Sequence, residues 1–397
     1  MSCRGATATL RGWRAHRATE TRLAHLAIQS STPRSASPMP SARTGLPKGR
    51  FFRCTRSIVA LGTLTMACEG PRRSGGVSAL VGVEVVRGAD LLTDPYALSV
   101  LGDYIAVGDK ADSALKLFDK TSGKLVASTG RRGAGPGEFM QIGAVQIRGD
   151  NNGPSTVWAF DRAQLRLSQF RIGDHSLEYA GTAMTVGVPG AAVTELWLDD
   201  TTLVAAGIFE KGRYFLSDPV GNLSRPFGRI PTIGLEAPAV AAAQALQPSL
   251  AVHPGGSLIA IGARYAGRID IFRVREDSSI LAATPLPFEP DIRATRNQAG
   301  FPIFVQNGST RFGYISITAT PTRIFAVFSG RTRSDHPGAA NYGDQIHVFS
   351  WDGTLRQILS VDRDLFAIAV DGGGSRLYAL VDEPEPAIVL YKLAARS

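Results

Sequence analysis

Histidine is the side chain best suited to proton transfer and metal ligation near neutrality. Beyond residue 67 the chain has His175, His253, His336 and His347. None stands in an HxH or HExxH spacing, which would put two imidazoles on one metal. His347 alternates within a strand-like run, and His253 precedes a Pro-Gly turn. Asp109, Asp161 and Asp382 each end an apolar run and could line a metal site. An Asp at a strand end more commonly binds its own turn backbone. Glu195, Asp199 and Asn307 are further oxygen donors, but nothing in their spacing brings them together. No GxSxG elbow anchors a nucleophilic serine. GAGPG at 133–137 has the glycines of a phosphate loop. It contains Pro136 and leads into a strand, so no helix N-terminus is offered to an anion. Trp158, Trp197 and Trp351 lie in or beside strands, where packing is the expected role. The reading is of no catalytic residue, no metal and no cofactor.

Basic residues are the remaining candidates for binding. Arg131 and Arg132 precede GAGPG; Arg264 and Tyr265 follow a strand; Arg293, Arg296, Arg331, Arg333 and His336 make one region locally basic. DEPEP at 382–386 makes another acidic. These sets can also be solvated surface.

The charge distribution narrows the partners. The 397 residues hold 43 Lys and Arg against 34 Asp and Glu, a formal charge of +9. Residues 1–67 carry eleven of those bases and a single acid, Glu20. The remainder holds 32 bases and 33 acids, so its net charge is about −1. A nearly neutral body lacks the basic field that nucleic-acid binding needs. Sparse charge (19%), 43 Gly and 23 Pro suit a turn-rich all-β protein.

Residues 50–68, RFFRCTRSIVALGTLTMAC, place Arg50, Arg53 and Arg56 before a short apolar run, Ser57 to Ala67. That run is too short to span a bilayer as a helix, which takes about 20 residues, and reads as a secretion signal. Its end, Leu64 to Cys68, resembles a bacterial lipobox, in which the Cys is lipidated and becomes the mature N-terminus. Thr65 stands where Leu is usual. An ordinary signal peptide and a short buried helix are the alternatives. Met39 would start a normal signal ending at Ala67. Residues 1–38 then read as an over-extended start or a disordered leader, and their composition also suits a transit peptide. Of Cys3, Cys54 and Cys68, only Cys68 remains after cleavage, so the body forms no disulfide. The domain reading is leader 1–38, signal 39–67, linker 68–78 and body 79–394.

The body is repetitive. Its most hydrophobic runs start at Tyr104, Val157, Leu203, Leu258, Ile324 and Leu377, spaced 53, 46, 55, 66 and 53 residues apart. Each has an apolar strand before it and an alternating strand after it. Five units add a fourth strand, near 124–129, 177–186, 224–230, 279–287 and 354–361. The sixth ends at Leu393 without one, while a strand-like segment at 79–86 has no unit of its own. The pattern predicts a six-bladed β-propeller of four-stranded antiparallel blades, closed by an N-terminal strand that completes the last blade.

GRRGAGPGEF at 130–139 resembles the inter-blade motif of NHL-type propellers. Gly133, Gly135 and Gly137 would permit positive φ there, and Phe139 would wedge between blades. Residues 241–272 and 323–380 are similar to the TolB-like six-bladed propeller lipoproteins, secreted bacterial proteins mostly of unknown function. That resemblance implies an envelope location and supplies no catalytic residues.

Loop lengths are uneven. Turns expected on one face are short: 102–103, 254–257, 319–322 and 352–353. Turns expected on the other include 231–247, 288–311 and 330–344, with a short Ala-rich helix from Pro238 to Gln247. Long loops on a rigid scaffold commonly carry function. The expectation is a monomeric, lipid-anchored envelope protein that binds an envelope protein or small ligand through this face. It meets the membrane through lipid on Cys68 and binds no nucleic acid. The alternative is a metal-dependent hydrolase or lyase at the channel mouth.

Overall fold

Short β-branched and aromatic runs bounded by turns form antiparallel sheets, one after another along the chain. The computed structural model describes residues 76–111, 114–150, 153–185, 187–233, 238–292, 295–300 and 302–394. The leader, the signal, Cys68 and Arg293 lie outside the described residues.

The first sheet takes Pro95–Leu101, Tyr104–Asp109, Leu115–Asp119 and Leu125–Thr129 in chain order. The second takes Ile142–Asp150, Gly153–Asp161, Arg166–Ile172 and Leu177–Thr185. The third has three strands, Gly190–Trp197, Leu203–Phe209 and Tyr214–Ser217. The fourth is Pro248–Val252, Leu258–Ala263, Ile269–Arg273 and Ser279–Leu281. The last runs from Tyr314–Ala319 through Ile324–Phe328 and Gly343–Phe349 into Leu355–Val370, then Arg376–Val381 and Ala387–Lys392. Leu355–Val370 serves twice: its first part pairs with Gly343–Phe349 and its second part with Arg376–Val381.

Second strands are apolar along nearly their whole length because both their faces are covered. Every residue of Ile324–Phe328 is buried, as are five of the six in Tyr104–Asp109. The cores lie between successive sheets. Ala106 and Leu117 of the first pack with Val157 and Phe170 of the second. Phe160 of the second packs with Trp197 and Phe209 of the third. Val204 and Tyr214 of the third pack with Ile259 and Phe272 of the fourth. Ile269 and Ile271 of the fourth pack with Tyr314 and Phe328. A further cluster joins Tyr378, Leu380 and Ile388 of the last sheet to Ile105, Val107 and Phe118 of the first.

Three expectations are adjusted. The segment read as one strand at 79–86 is two. Val77–Leu80 runs parallel to Ile358–Val361, and Val83–Arg87 runs antiparallel to Ala387–Leu390. Gly82 sits at the crossing, where a Cβ would lie 2.2 Å from the Val389 side chain. Its N–H donates to Asp362 at 3.1 Å. A fourth strand at 224–230 does not form. Pro226 breaks the run, leaving bridges at Tyr214–Phe227 and Ser217–Leu223. The strand expected at 279–287 stops at Leu281, ahead of Pro285 and Pro287. The Ala-rich segment does form a helix, α1 (Ala239–Ala245), directly after Pro238.

Candidate ligand-binding site

The acids that could have served a metal are occupied by structural work. Asp109 is fully buried and accepts the N–H groups of Thr93, Asp94 and Ala111 at 2.9–3.0 Å. Lys116 Nζ lies 2.7 Å from it. Burial pushes the Asp109 carboxyl up, but Lys116 and the backbone donors outweigh this and hold it below the usual carboxylate range. Asp161 repeats the device one sheet on, accepting from Met140, Gln141, Ala163 and Gln164. Each Asp thus ties the end of a second strand to the segment entering the same sheet. Asp382 accepts the Tyr342 hydroxyl at 2.8 Å.

Glu195, Asp199 and Asn307 do not converge. Asp199 and Asn307 are exposed and cap their own turns at Thr201 and Ser309. Glu195 is 1% exposed, and neither carboxyl oxygen has a partner. Burial pushes it up to about 8, so it stays protonated at neutral pH. Among the described residues no group of three or more His, Cys, Asp or Glu is placed to hold a metal ion.

The linker motif folds as a crossing. Phe139 is buried, its ring 5.9 Å from that of Phe170. Gly137 has φ +69°, but Gly133 and Gly135 are not in the left-handed region. They are small because the Glu138 side chain lies against them; a Cβ on Gly133 would stand 2.0 Å from it. Arg131 is spent on Glu138. Arg132 is exposed and bridges Phe139 through its backbone.

The three long segments are bound to one another. The Phe304 N–H donates to the Gln244 side chain at 2.7 Å, linking 288–311 to α1. Arg333 donates to Gln306, and the Ser334 N–H and hydroxyl both donate to the Gly308 carbonyl at 2.9 Å. Beside this cluster lies a cavity of about 430 Å³, lined by Leu286, Arg311, Phe328, Asp335, His336 and His347 among others.

His347 is nearly closed off at 1% exposure. Burial pushes its imidazole down to about 4, so it is neutral. Its ring stacks on Phe328 at 4.7 Å, and Nδ1 lies 3.0 Å from the Tyr314 hydroxyl. Tyr314 is itself fully buried, which raises its pKa well above the usual phenol value.

The binding candidates from the sequence divide. Arg331 and His336 line the cavity. Arg331 is not free: it is bidentate to Asp364 at 2.7 and 2.6 Å and lies 3.2 Å from Asp344. Arg333 also stacks over Phe312 at 5.6 Å. Tyr265 is buried between Phe304 and Phe312, its hydroxyl accepting from Gln306 at 2.7 Å. Arg264 is half-buried in the adjoining turn, and its backbone bonds Gln247 and Gly313. Arg296 holds the Gly300 carbonyl at 2.6 Å. Arg131 and Arg132 belong to the crossing between the first two sheets. Arg311, Asp335 and His347 were not among the candidates. The signal for Asp335 was its place in RTRSDH at 331–336; Arg311 ends the long segment 288–311, and His347 sat within a strand-like run, and neither was singled out for binding.

Antiparallel blades with cores between successive sheets define a β-propeller-like protein. The chain belongs to the TolB-like 6-blade propeller-like family, matched over residues 81–372. No curated protein matches it by sequence. Among solved structures, it is similar to a Bacteroides fragilis protein classed as exported, with TM-score 0.49 and 14% identity over 80% of this chain and 95% of that one. The WD40 repeats of RRP9 give TM-score 0.45 and 11% identity over 75% of this chain and 79% of theirs. Raptor of Chaetomium thermophilum gives 0.46 and 12% over 79% of this chain and 29% of its own.

Among the described residues no helix is long and apolar enough to cross a membrane.

Proposed function

We propose that this protein is a non-catalytic binding propeller of the bacterial cell envelope, tethered through lipid on Cys68, which engages a partner or ligand through its long-loop cluster. The scaffold in this reading is a six-bladed ring closed by Val83–Arg87 against Ala387–Lys392. One observation supports the binding role: 288–311 hydrogen-bonds to 231–247 on one side and to 330–344 on the other, and residues of 288–311 and 330–344 border one cavity. Decorative loops have no need of such cross-links, whereas a recognition surface gains by being held in place before its partner arrives.

The test is capture from envelope extract by the purified protein, compared with Arg333→Ala/His336→Ala. Both side chains are exposed, so melting stays unchanged while capture falls. Capture that survives this change and is lost on altering the short turns at 254–257 and 352–353 overturns the reading. Intact-mass analysis of the native protein checks the tether: the expected chain begins at a lipid-bearing Cys68. A mature chain retaining residues 1–60 sinks it.

A further inference from the structure

The cavity gives the long-loop reading, on which this inference rests, a ligand chemistry. Its lining holds two cations, Arg311 and Arg331, and two anions, Asp335 and Asp344. They are not equivalent. Arg331 is neutralised by Asp344 and Asp364. Arg311 and Asp335 pair neither with each other nor with any other opposite charge among the described residues. The Arg311 guanidinium lies 5.6 Å over the Phe288 ring, and among the described residues the Asp335 carboxylate accepts only the Thr332 hydroxyl, at 2.6 Å. The Arg311 backbone bridges that of the same Thr332. Opposite charges therefore flank one residue and face one cavity without meeting.

The rest of the lining is graded. Leu286, 44% exposed, forms an apolar lip beside Pro285. Phe328 and the neutral His347 form the innermost part. Among the described residues the buried Tyr314 hydroxyl has His347 Nδ1 as its one partner and donates to it, since buried donors need acceptors. His347 then carries its ring proton on Nε2, beside Gln345 of the same lining. His336 also lines the cavity.

We propose that this cavity binds a small zwitterion of the α-amino acid class with an aliphatic side chain. Its carboxylate sits on Arg311, its ammonium on Asp335, and its aliphatic body lies against Leu286 and Pro285. A single molecule carrying both charges satisfies two groups that the fold leaves apart, and charge-assisted hydrogen bonds are the strong ones. The volume lies within the range of small-molecule sites, about 300–1,000 Å³. An acid or an amine alone would satisfy one charge and leave the other without a partner.

Calorimetric titration of the purified protein with L-leucine and L-methionine tests this, with N-acetyl-L-leucine and L-leucinamide as singly charged controls. The free amino acids bind, and each capped form binds at least about tenfold more weakly. In Arg311→Ala the preference for leucine over leucinamide disappears. In Asp335→Asn the preference for leucine over N-acetyl-leucine disappears. Each variant keeps the other preference, which shows that the site still folds. Absence of binding by both amino acids up to their solubility limits, or equal binding of the capped forms, overturns the zwitterion site. If envelope capture persists in that event, the long-loop reading stands without it; if capture alone fails, the small-ligand site stands on its own.

Discussion

The Arg331 guanidinium grips both carboxylate oxygens of Asp364, at 2.7 and 2.6 Å, from a loop that sequence alone would leave in solvent. Asp364 lies inside Leu355–Val370, the strand shared by two halves of the last sheet. Asp344 adds a second carboxylate at 3.2 Å. Arg331 therefore fastens the loop at 330–344 to the point where the shared strand changes partners. Its side chain is 13% exposed, whereas Asp364 and Asp344 are 42% and 50% exposed. Solvent thus screens one side of the contact, and the value falls between that of surface and buried pairs.

Arg331→Ala is accordingly expected to destabilise the protein by about 1–3 kcal/mol. Arg333→Ala, whose side chain is exposed, is expected to stay within about 0.5 kcal/mol. Urea unfolding of both single variants checks this. A change at Arg331 as small as that at Arg333 would mean the bidentate contact does not persist in solution.

The N-terminal strands yield a second expectation. Val83–Arg87 is the last strand on the edge of the final sheet, and Val77–Leu80 lies on another part of that sheet. Removing 69–88 exposes the Ala387–Lys392 edge and strips Val86 from the cluster joining the last sheet to the first. The shortened protein is expected to aggregate and melt lower, while removal of 1–67 leaves melting unchanged. Equal solubility and equal melting of the two truncations would show that these strands are dispensable.

Much of this architecture is legible in the sequence because propeller strands announce themselves twice. A second strand such as Ile324–Phe328 is buried on both faces and reads as an unbroken apolar run. Its neighbours alternate, and the unit recurs. Asp109 and Asp161 were legible too, since a carboxylate ending a buried strand needs nearby N–H donors. What stayed hidden depends on distant partners. Arg331 looks like any loop arginine until Asp364, more than thirty residues later, comes beside it. Gly133 and Gly135 look like turn glycines, although their smallness serves the Glu138 side chain. Arg311 and Asp335 acquire meaning only because the fold brings them to one cavity unpaired. The third sheet lacks its expected fourth strand because Pro226 cuts the run at 224–230.

Two buried groups should oppose each other in the dependence of stability on pH. His347 is pushed down to about 4 in the folded state, from an ordinary value near 6.5. As pH falls from about 6.5 to 4 the unfolded chain takes up a proton that the fold refuses, so stability is lost across that window. Glu195 is pushed up to about 8. Between about 4.3 and 8 the fold keeps a proton that the unfolded chain releases, so this group's contribution declines as pH rises through that range. Near pH 7 the Glu195 term is of the order of 3 kcal/mol. Glu195→Gln removes the titration while keeping the shape. It is expected to melt close to the parent near pH 5 and above it near pH 8. His347→Gln should do the reverse, narrowing the loss of stability on acidification while costing the stack on Phe328 at every pH. Melting curves of the parent and both variants from pH 4.5 to 8.5 decide the matter. If the parent and Glu195→Gln stay parallel over the whole range, the Glu195 carboxyl is reached by water or a cation and is not the isolated acid described above.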